Sequence, residues 1–210
     1  MGTSDEVVGG RCRFIAFEGG EGTGKSTQAR LLATRLGALL TREPGGTGLG
    51  ERIRHLVLDN DVDPVADRTE ALLFAAARAQ HVAEVIRPVL DSGRHVVTDR
   101  FLHSSVAYQG YGRGLPAGEI ADLSRWATAG LVPDLVVLLE VAPDVAATRL
   151  DRPLDRLEAT GGRFHDRVQA GFEELAAEDP GSWVVLDGDQ DVDVLAATIE
   201  AVVRERLDLS

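Results

Sequence analysis

Hydrophobic residues in this chain fall into short unbroken runs separated by longer stretches with helical spacing. Arg13–Glu18, Ala38–Thr41, His95–Thr98, Leu135–Val141 and Trp183–Leu186 read as strands. Leu135–Val141 is apolar at nearly every position, the pattern of a strand covered on both faces in a parallel sheet. Between these runs, helices are expected near Lys25–Leu36, Glu51–Leu58, Arg68–Leu90, Leu102–Ala107, Ala117–Ala129, Asp144–Leu150, Phe164–Ala177 and Val192–Arg206. In the longest, Leu72, Ala76, Ala79, Val82, Ile86 and Val89 keep one apolar face. Asp67 with Glu70 resembles a capping box ahead of it, and Ser92-Gly93 closes it. Glu43–Gly50 reads as a loop and Asp151–Arg163 as a polar, Arg-rich stretch. Five short strands alternating with helices predict an α/β fold, a doubly wound five-stranded parallel sheet flanked by helices. Ligands in such sheets bind at the carboxyl ends of strands. Site residues are therefore expected just beyond Glu18, Thr41, Thr98 and Val141.

At 210 residues the chain is expected to form a single domain over 12–210, behind a polar, Gly-rich, flexible N-terminal tail at 1–11. No repeat is visible. The apolar runs are far short of the ~20 residues a membrane helix needs, and residues 1–11 lack the apolar core of a secretory signal. A cytoplasmic protein without membrane association is expected. One cysteine, Cys12, excludes an internal disulfide framework. The net charge of -12 disfavours nucleic acid polymers as partners. A small anion remains acceptable where positive charge is concentrated locally.

That concentration has an address. Of the 22 basic residues only one is lysine, Lys25, and it stands in Gly19-Gly20-Glu21-Gly22-Thr23-Gly24-Lys25-Ser26. The segment fits G-x-x-x-x-G-K-[ST] with a strand before it and a helix after it, the setting of a P-loop. Its glycines let successive N–H groups face a phosphate, and the helix start adds the positive end of its dipole. The compact Lys25 ammonium reaches the β- and γ-phosphates, and the Ser26 hydroxyl suits Mg²⁺. Gly19, Gly20, Glu21, Gly22, Thr23, Gly24, Lys25, Ser26 and Thr27 are thus the expected ATP contacts. Asp99, ending the strand His95–Thr98, is expected to support the same Mg²⁺; Glu140 is an alternative, equally readable as a strand-end carboxylate bonded locally.

A P-loop alone fits switches, motors, transporters and kinases. A GTPase needs N-K-x-D to read guanine, and the single Asn60 and single Lys25 cannot form it. Motors and transport ATPases need longer, partner-coupled chains. A compact enzyme moving a phosphoryl group to a small acceptor remains, with a non-enzymatic nucleotide binder as the alternative of another class. Binding of ATP without turnover of any acceptor would favour the binder.

Further segments narrow the choice: Thr41-Arg42-Glu43-Pro44-Gly45-Gly46-Thr47, Phe74-Ala75-Ala76-Ala77-Arg78-Ala79-Gln80-His81, Asp99-Arg100-Phe101, Ser104-Ser105-Val106-Ala107-Tyr108-Gln109-Gly110 and Gly112-Arg113-Gly114. In this order they resemble the bacterial thymidylate kinases, nucleoside monophosphate kinases, over about Arg13 to Leu207. The resemblance implies transfer of the γ-phosphoryl group of ATP to dTMP, giving dTDP and ADP on the way to dTTP, with Mg²⁺ and in a homodimer. It implies that Phe74 stacks on thymine, that Arg78 bonds a base carbonyl and that Ser105 meets the base edge. Tyr108 would crowd the sugar 2′ position, with Gln109 beside it. Arg100 and Arg42 would hold the acceptor phosphate, and Glu21 the deoxyribose 3′-hydroxyl. A dianionic acceptor independently calls for arginine forks, and an acid inside a phosphate cradle calls for a partner other than phosphate.

With an acid and no arginine among the P-loop's variable positions, the resemblance implies a cation delivered by a lid. The short Arg-bearing stretch 149–163 is the candidate, with Arg149 and Arg152 expected to join Lys25 and Arg100 as catalytic residues. It is shorter and poorer in arginine than in many bacterial members. No general base is required, because a phosphate acceptor is already an anion. His81, His103 and His165 read as surface or pocket-lining residues, and Trp126 and Trp183 as packing.

Overall fold

A computed structural model describes residues 11–150 and 153–209. Its centre is a five-stranded, all-parallel sheet of β1 (Phe14–Glu18), β2 (Leu39–Arg42), β3 (Val96–Asp99), β4 (Leu135–Glu140) and β5 (Trp183–Asp187), in the order β2-β3-β1-β4-β5. β1 is central and buried along its whole length. Asp99, the last residue of β3, pairs with Phe17 of β1 and Arg42 of β2, so these three strands end at nearly one level, while β4 runs on to Glu140.

Both faces of the sheet are apolar, in alternation. Ile15, Phe17, Leu135, Val137 and Leu139 face α1 (Lys25–Leu36) and the last helix (Val192–Leu207) through Leu32, Leu195, Ile199 and Val203. Phe14 and Ala16 face Val82, Ile86 and Phe101 on the other side. Val136 and Leu138 join a cluster with Phe164 and Phe172 there. The helices are α1, α2 (Gly48–Leu58), α3 (Asp67–His81, extended through Val82–Ile86 and Arg87–Asp91) and α4 (Leu102–Ser105, extended through Val106–Gly112). α5 (Ala117–Ala127), α6 (Pro143–Thr148), α7 (Gly162–Glu178) and α8 (Val192–Leu207) follow. Among the described residues no helix is long and apolar enough to cross a membrane.

Several elements depart from expectation for identifiable reasons. α2 starts at Gly48, inside the expected loop, because the Thr47 hydroxyl accepts from Gly50 N at 2.9 Å and caps it. The expected capping box of α3 does not form. Ala66 is the N-cap, and Glu70 is drawn into the interior, where Gln109 (3.0 Å) and Arg113 (3.0 and 3.2 Å) donate to it. The single helix expected over Arg68–Leu90 widens into a π-helical turn at Val82–Ile86. Pro88, just beyond, has no N–H and crowds the carbonyl four residues back; the wider turn accommodates it. A second π-helical stretch, Val106–Gly112, carries the Tyr108-Gln109-Gly110 segment.

The tail at 1–11 lies, except for Arg11, outside the described residues, as do Asp151 and Arg152. The remainder of the Arg-rich stretch is folded against the protein. Asp155 accepts from Leu157 N and Glu158 N (2.9 and 3.0 Å), Glu158 accepts from Asp155 N (2.8 Å), and Leu157 is buried in the Phe164–Phe172 cluster. Arg156 donates to the Val57 carbonyl at 2.6 Å and tethers the stretch to the end of α2.

Candidate active site

Beyond β1 the chain turns through Gly19–Gly24 into α1, with φ of 136° at Gly19, 73° at Gly22 and 87° at Gly24. These left-handed values curl the backbone into an amide-lined nest at the helix start. A Cβ on Gly22 would lie 2.5 Å from the Ala146 carbonyl oxygen and 2.9 Å from its Cα. The nest therefore packs backbone to backbone on α6 and admits no side chain there. Thr23 closes it by donating to Gly20 O at 3.0 Å, and Thr27 N bonds Gly24 O at 3.1 Å.

Lys25 is buried at the start of α1 and folds back over the nest, donating to Gly20 O at 2.9 Å and to Glu21 Oε2 at 3.4 Å. Arg100 donates to the other oxygen of Glu21. Burial by itself would raise the Glu21 carboxyl; Arg100 and Lys25 outweigh it and hold the group well below the usual carboxylate range. Burial likewise opposes the Arg100 charge, and Glu21 more than restores it. The cradle's two cations thus share one internal counter-anion.

Arg100 follows β3 with φ 69°, an uncommon value for a side-chain-bearing residue. Its guanidinium also donates to Gly19 O (2.9 Å), Ser104 Oγ (3.1 Å) and the Tyr108 hydroxyl (3.1 Å), and lies 5.0 Å from the centre of the Tyr108 ring. Glu18 supports this corner from below. It is fully buried and accepts from Phe101 N (3.0 Å), Ser104 N (3.1 Å) and Ser104 Oγ (2.5 Å). Burial pushes its carboxyl up to about 7, against the pull of Arg100 and these bonds.

Ser26 and Asp99 meet as the strand alignment requires, the Ser26 hydroxyl donating to Asp99 Oδ2. Asp99 Oδ1 is buried and has no partner. A hydroxyl and a carboxylate with a spare oxygen suit a hard cation that keeps waters or phosphate oxygens as its remaining ligands. Glu140 is not part of this pair. It accepts from Gln169 Nε2 at 2.7 Å, and burial, reinforced by Glu173, raises its carboxyl.

The nest opens onto a cleft of about 260 Å³, and the far wall carries the second group of expected residues. Phe74 and Arg78 come from α3, Ser105, Tyr108 and Gln109 from α4, and Arg42 from the end of β2. Arg78 is 2% exposed. It donates from Nε to Glu43 (2.7 Å), from Nη1 to Ser124 (3.3 Å) and from Nη2 to Phe101 O and Ser105 Oγ (3.2 and 3.0 Å). Of its five N–H groups these use four, so one Nη1 hydrogen has no acceptor among the described residues, and Arg78 lines the cleft. Gln109 presents its carbonyl side, because its amide nitrogen donates to Glu70 at 3.0 Å. Arg42 is half-exposed and forked onto Glu51 at 2.9 and 3.0 Å.

Arg149 lies apart from this wall. It donates to Gly188 O (3.0 Å), Gly22 O (3.4 Å) and Asp189 (2.8 Å), on the outer rim of the nest. Arg152 lies outside the described residues. His81, expected at a surface or pocket wall, is fully buried. His103 packs edge-on against Trp183 with ring centres 4.8 Å apart, and burial, with Arg78 nearby, pushes it down to about 3. Trp126 is 81% exposed rather than packed.

Residues not anticipated at the site include Glu43 and Arg54, which line the cleft, and Glu18 beneath it. Arg54 lines the cleft and donates to Pro44 O at 3.0 Å; burial and the neighbouring Arg42 lower its pKa. Its signal was available in the helical spacing of α2, where Arg54 and Leu58 share the cleft face while Ile53 and Val57 are buried in the core. Glu18 and Glu43 carried no such signal, since an acid at a strand end reads as solvent-facing.

Known proteins similar to this chain belong to one family. The thymidylate kinase family matches residues 17–199. The thymidylate kinase of Bifidobacterium longum (strain DJO10A) is 46% identical over 200 residues, covering 91% of this chain and 97% of its own. That of Leifsonia xyli subsp. xyli is 51% identical over 194 residues, 89% of this chain and 91% of its own. The crystal structure of thymidylate kinase from Ehrlichia chaffeensis superposes with a TM-score of 0.77 at 32% identity, over 93% of this chain and 99% of that one.

Proposed function

Given that the chain belongs to the thymidylate kinase family and phosphorylates dTMP with ATP to give dTDP, we propose that the nest and the cleft are its two substrate sites, meeting at Glu21, Lys25 and Arg100. The observation that carries this reading is the shared counter-anion. Glu21 balances one cation from the nest and one from the cleft wall, at the place where two nucleotide phosphates would meet.

ATP lies with its phosphates on the amides of Gly19–Thr27. Lys25 leaves the Gly20 carbonyl for the β- and γ-phosphates, and Glu21, relieved of its cations by phosphate, turns to the acceptor's 3′-hydroxyl. Arg100, Arg42 and Arg54 neutralise the acceptor phosphate. Phe74 stacks on the base, Arg78 gives its remaining Nη1 hydrogen to a base carbonyl, and Ser105 and Gln109 complete the edge. The Tyr108 ring, buried and held by Arg100, fills the space a 2′-hydroxyl would need. Ser26 and Asp99 would hold Mg²⁺, whose positive charge would offset the negative charge of the phosphates during transfer. Arg149 and Arg152 supply the remaining positive charge from the stretch 149–163. Attack is by a phosphate oxygen that is already anionic, so no residue need remove a proton.

We further infer one catalytic domain over 12–210, a cytoplasmic location and a homodimer. α3 and α5 pack on each other. Leu72 on α3 and Trp126 on α5 are 58% and 81% exposed, an apolar face suited to a second copy.

The test is initial-rate turnover of dTMP, dUMP, dCMP and AMP with ATP and Mg²⁺. The expected order places dTMP first by at least ~10-fold in kcat/KM, as a site that reads base edges requires. Equal turnover of AMP would overturn this assignment of the cleft.

A further inference from the structure

His81 is absent from the cleft lining, yet it sits in a connected cluster of buried polar side chains. Its side chain is 0% exposed. Nε2 lies 2.6 Å from the Thr41 hydroxyl on β2, and Nδ1 lies 3.0 Å from Glu43 Oε1 in the following loop. The other oxygen of Glu43 receives Arg78 Nε at 2.7 Å. A carboxylate oxygen only accepts, so Nδ1 carries the hydrogen of this bond, and Nε2 and the Thr41 hydroxyl, which can donate or accept, share the other. The result is a continuous relay from Thr41 through His81 and Glu43 to Arg78. The loop also lies directly on the ring. A Cβ on Gly46 would be 2.7 Å from His81 Nε2, and Gly46 holds φ 77°. The imidazole therefore braces both the guanidinium on α3 and the loop that carries Arg42 and the Arg54-bonded Pro44 carbonyl.

We propose that His81 is a positioning residue for the acceptor: through Glu43 it aims the one uncommitted N–H of Arg78 into the cleft, and so sets affinity and selectivity for the acceptor base. The inference rests on the reading of Arg78 given above. Arg78 Nη1 and Nη2 are held by Ser124, Phe101 O and Ser105, whereas Nε is anchored on the Glu43 carboxylate. The Nδ1–H bond to the second carboxylate oxygen fixes the position and tilt of that anchor. Misaiming a single directional bond affects ground-state binding of one substrate and leaves the phosphoryl-transfer groups at Lys25 and Arg100 in place.

The experiment compares His81→Phe, His81→Asn, Thr41→Val and Arg78→Met in steady-state kinetics with dTMP and dCMP, whose bases differ in carbonyl against amino at the edge that Arg78 would read. In His81→Phe, KM for dTMP is expected to rise ~10-fold and the preference for dTMP over dCMP to narrow, with kcat and KM for ATP within ~3-fold of the wild type. His81→Asn keeps an amide donor where Nδ1–H stands and should recover most of the loss. Thr41→Val, which removes only the far end of the relay, should show the same split at smaller size and serves if the Phe variant fails to fold. Arg78→Met should exceed them all. The proposal is overturned if Arg78→Met loses dTMP affinity while the His81 and Thr41 variants keep it. It is also overturned if KM for ATP rises in step with KM for dTMP, the mark of general loosening. A wild-type KM for dTMP in Arg78→Met overturns both the reading of Arg78 and the proposal built on it.

Discussion

Phe74 belongs to two structures at once, and replacing it separates them. The ring is 8% exposed and belongs to the buried cluster with Ile53, Val57, Tyr108, Phe164 and Phe172, while one face lines the cleft. Truncating a core phenylalanine costs ~3–5 kcal/mol. Here the space vacated in Phe74→Ala joins the cleft and can fill with water, which places the cost near ~3 kcal/mol. That is a large part of the ~5–15 kcal/mol holding a domain together. Stacking of an aromatic ring on a base contributes a further ~1–3 kcal/mol to dTMP binding, a ~5- to 150-fold change in Kd. Phe74→Leu refills most of the apolar volume without a flat face. It should keep stability within ~1.5 kcal/mol of the wild type and still lose dTMP affinity by ~10-fold or more. Urea unfolding without ligand measures the first quantity, and calorimetric titration with dTMP the second. ATP binding should be unaffected in both variants. If Phe74→Leu binds dTMP like the wild type while Phe74→Ala is merely unstable, the ring is core alone and the base does not stack there.

Three other outcomes follow from the same geometry. Lys25→Ala should lower kcat by ~10²–10³ with the fold intact, because the ammonium meets charge that develops in transfer; single-turnover rates at saturating substrates check it. Asp99→Asn leaves the Ser26 bond possible and removes the spare carboxylate oxygen, so the Mg²⁺ concentration for half-maximal activity should rise severalfold at unchanged KM for dTMP, read from a Mg²⁺ titration. His103, depressed by burial to about 3 in the folded protein against an ordinary 6.5, contributes stability present above pH 6.5 and lost progressively as pH falls toward 3. Between pH 6.5 and 5 the wild type should lose about 2 kcal/mol relative to His103→Phe, measured by paired urea unfolding curves.

The distribution of charge explains how an acidic protein can recruit two anions. The chain carries a net charge of -12, whereas Lys25 and Arg78 are buried and Arg100 is partly buried, all three lining the cleft. Low-dielectric walls strengthen their attraction for phosphate at short range. Glu21 keeps the two nearest cations neutralised until phosphate arrives, so that the resting site does not carry unbalanced buried charge.

Local pattern was enough to determine the five strands, their parallel arrangement and the nest. Each depends on residues close in sequence or on strands whose apolar runs admit one kind of layer. Period-2 alternation with both faces apolar specifies a covered parallel strand, and a glycine-rich turn between strand and helix specifies an amide cradle. Tertiary structure alone decided how the polar interior is wired. Glu70 might have capped α3 by its position, but Arg113 and Gln109 draw it inward. His81 and Glu43 are separated by 38 residues and become partners only when α3 lies against the loop after β2. Arg156 and Leu157 look like a solvated lid and are instead anchored to α2 and the core. A buried ion pair or relay depends on which helices meet and at what distance, and its members carry no periodicity. Such bonds are set by packing between distant segments, after the apolar pattern has already chosen the fold.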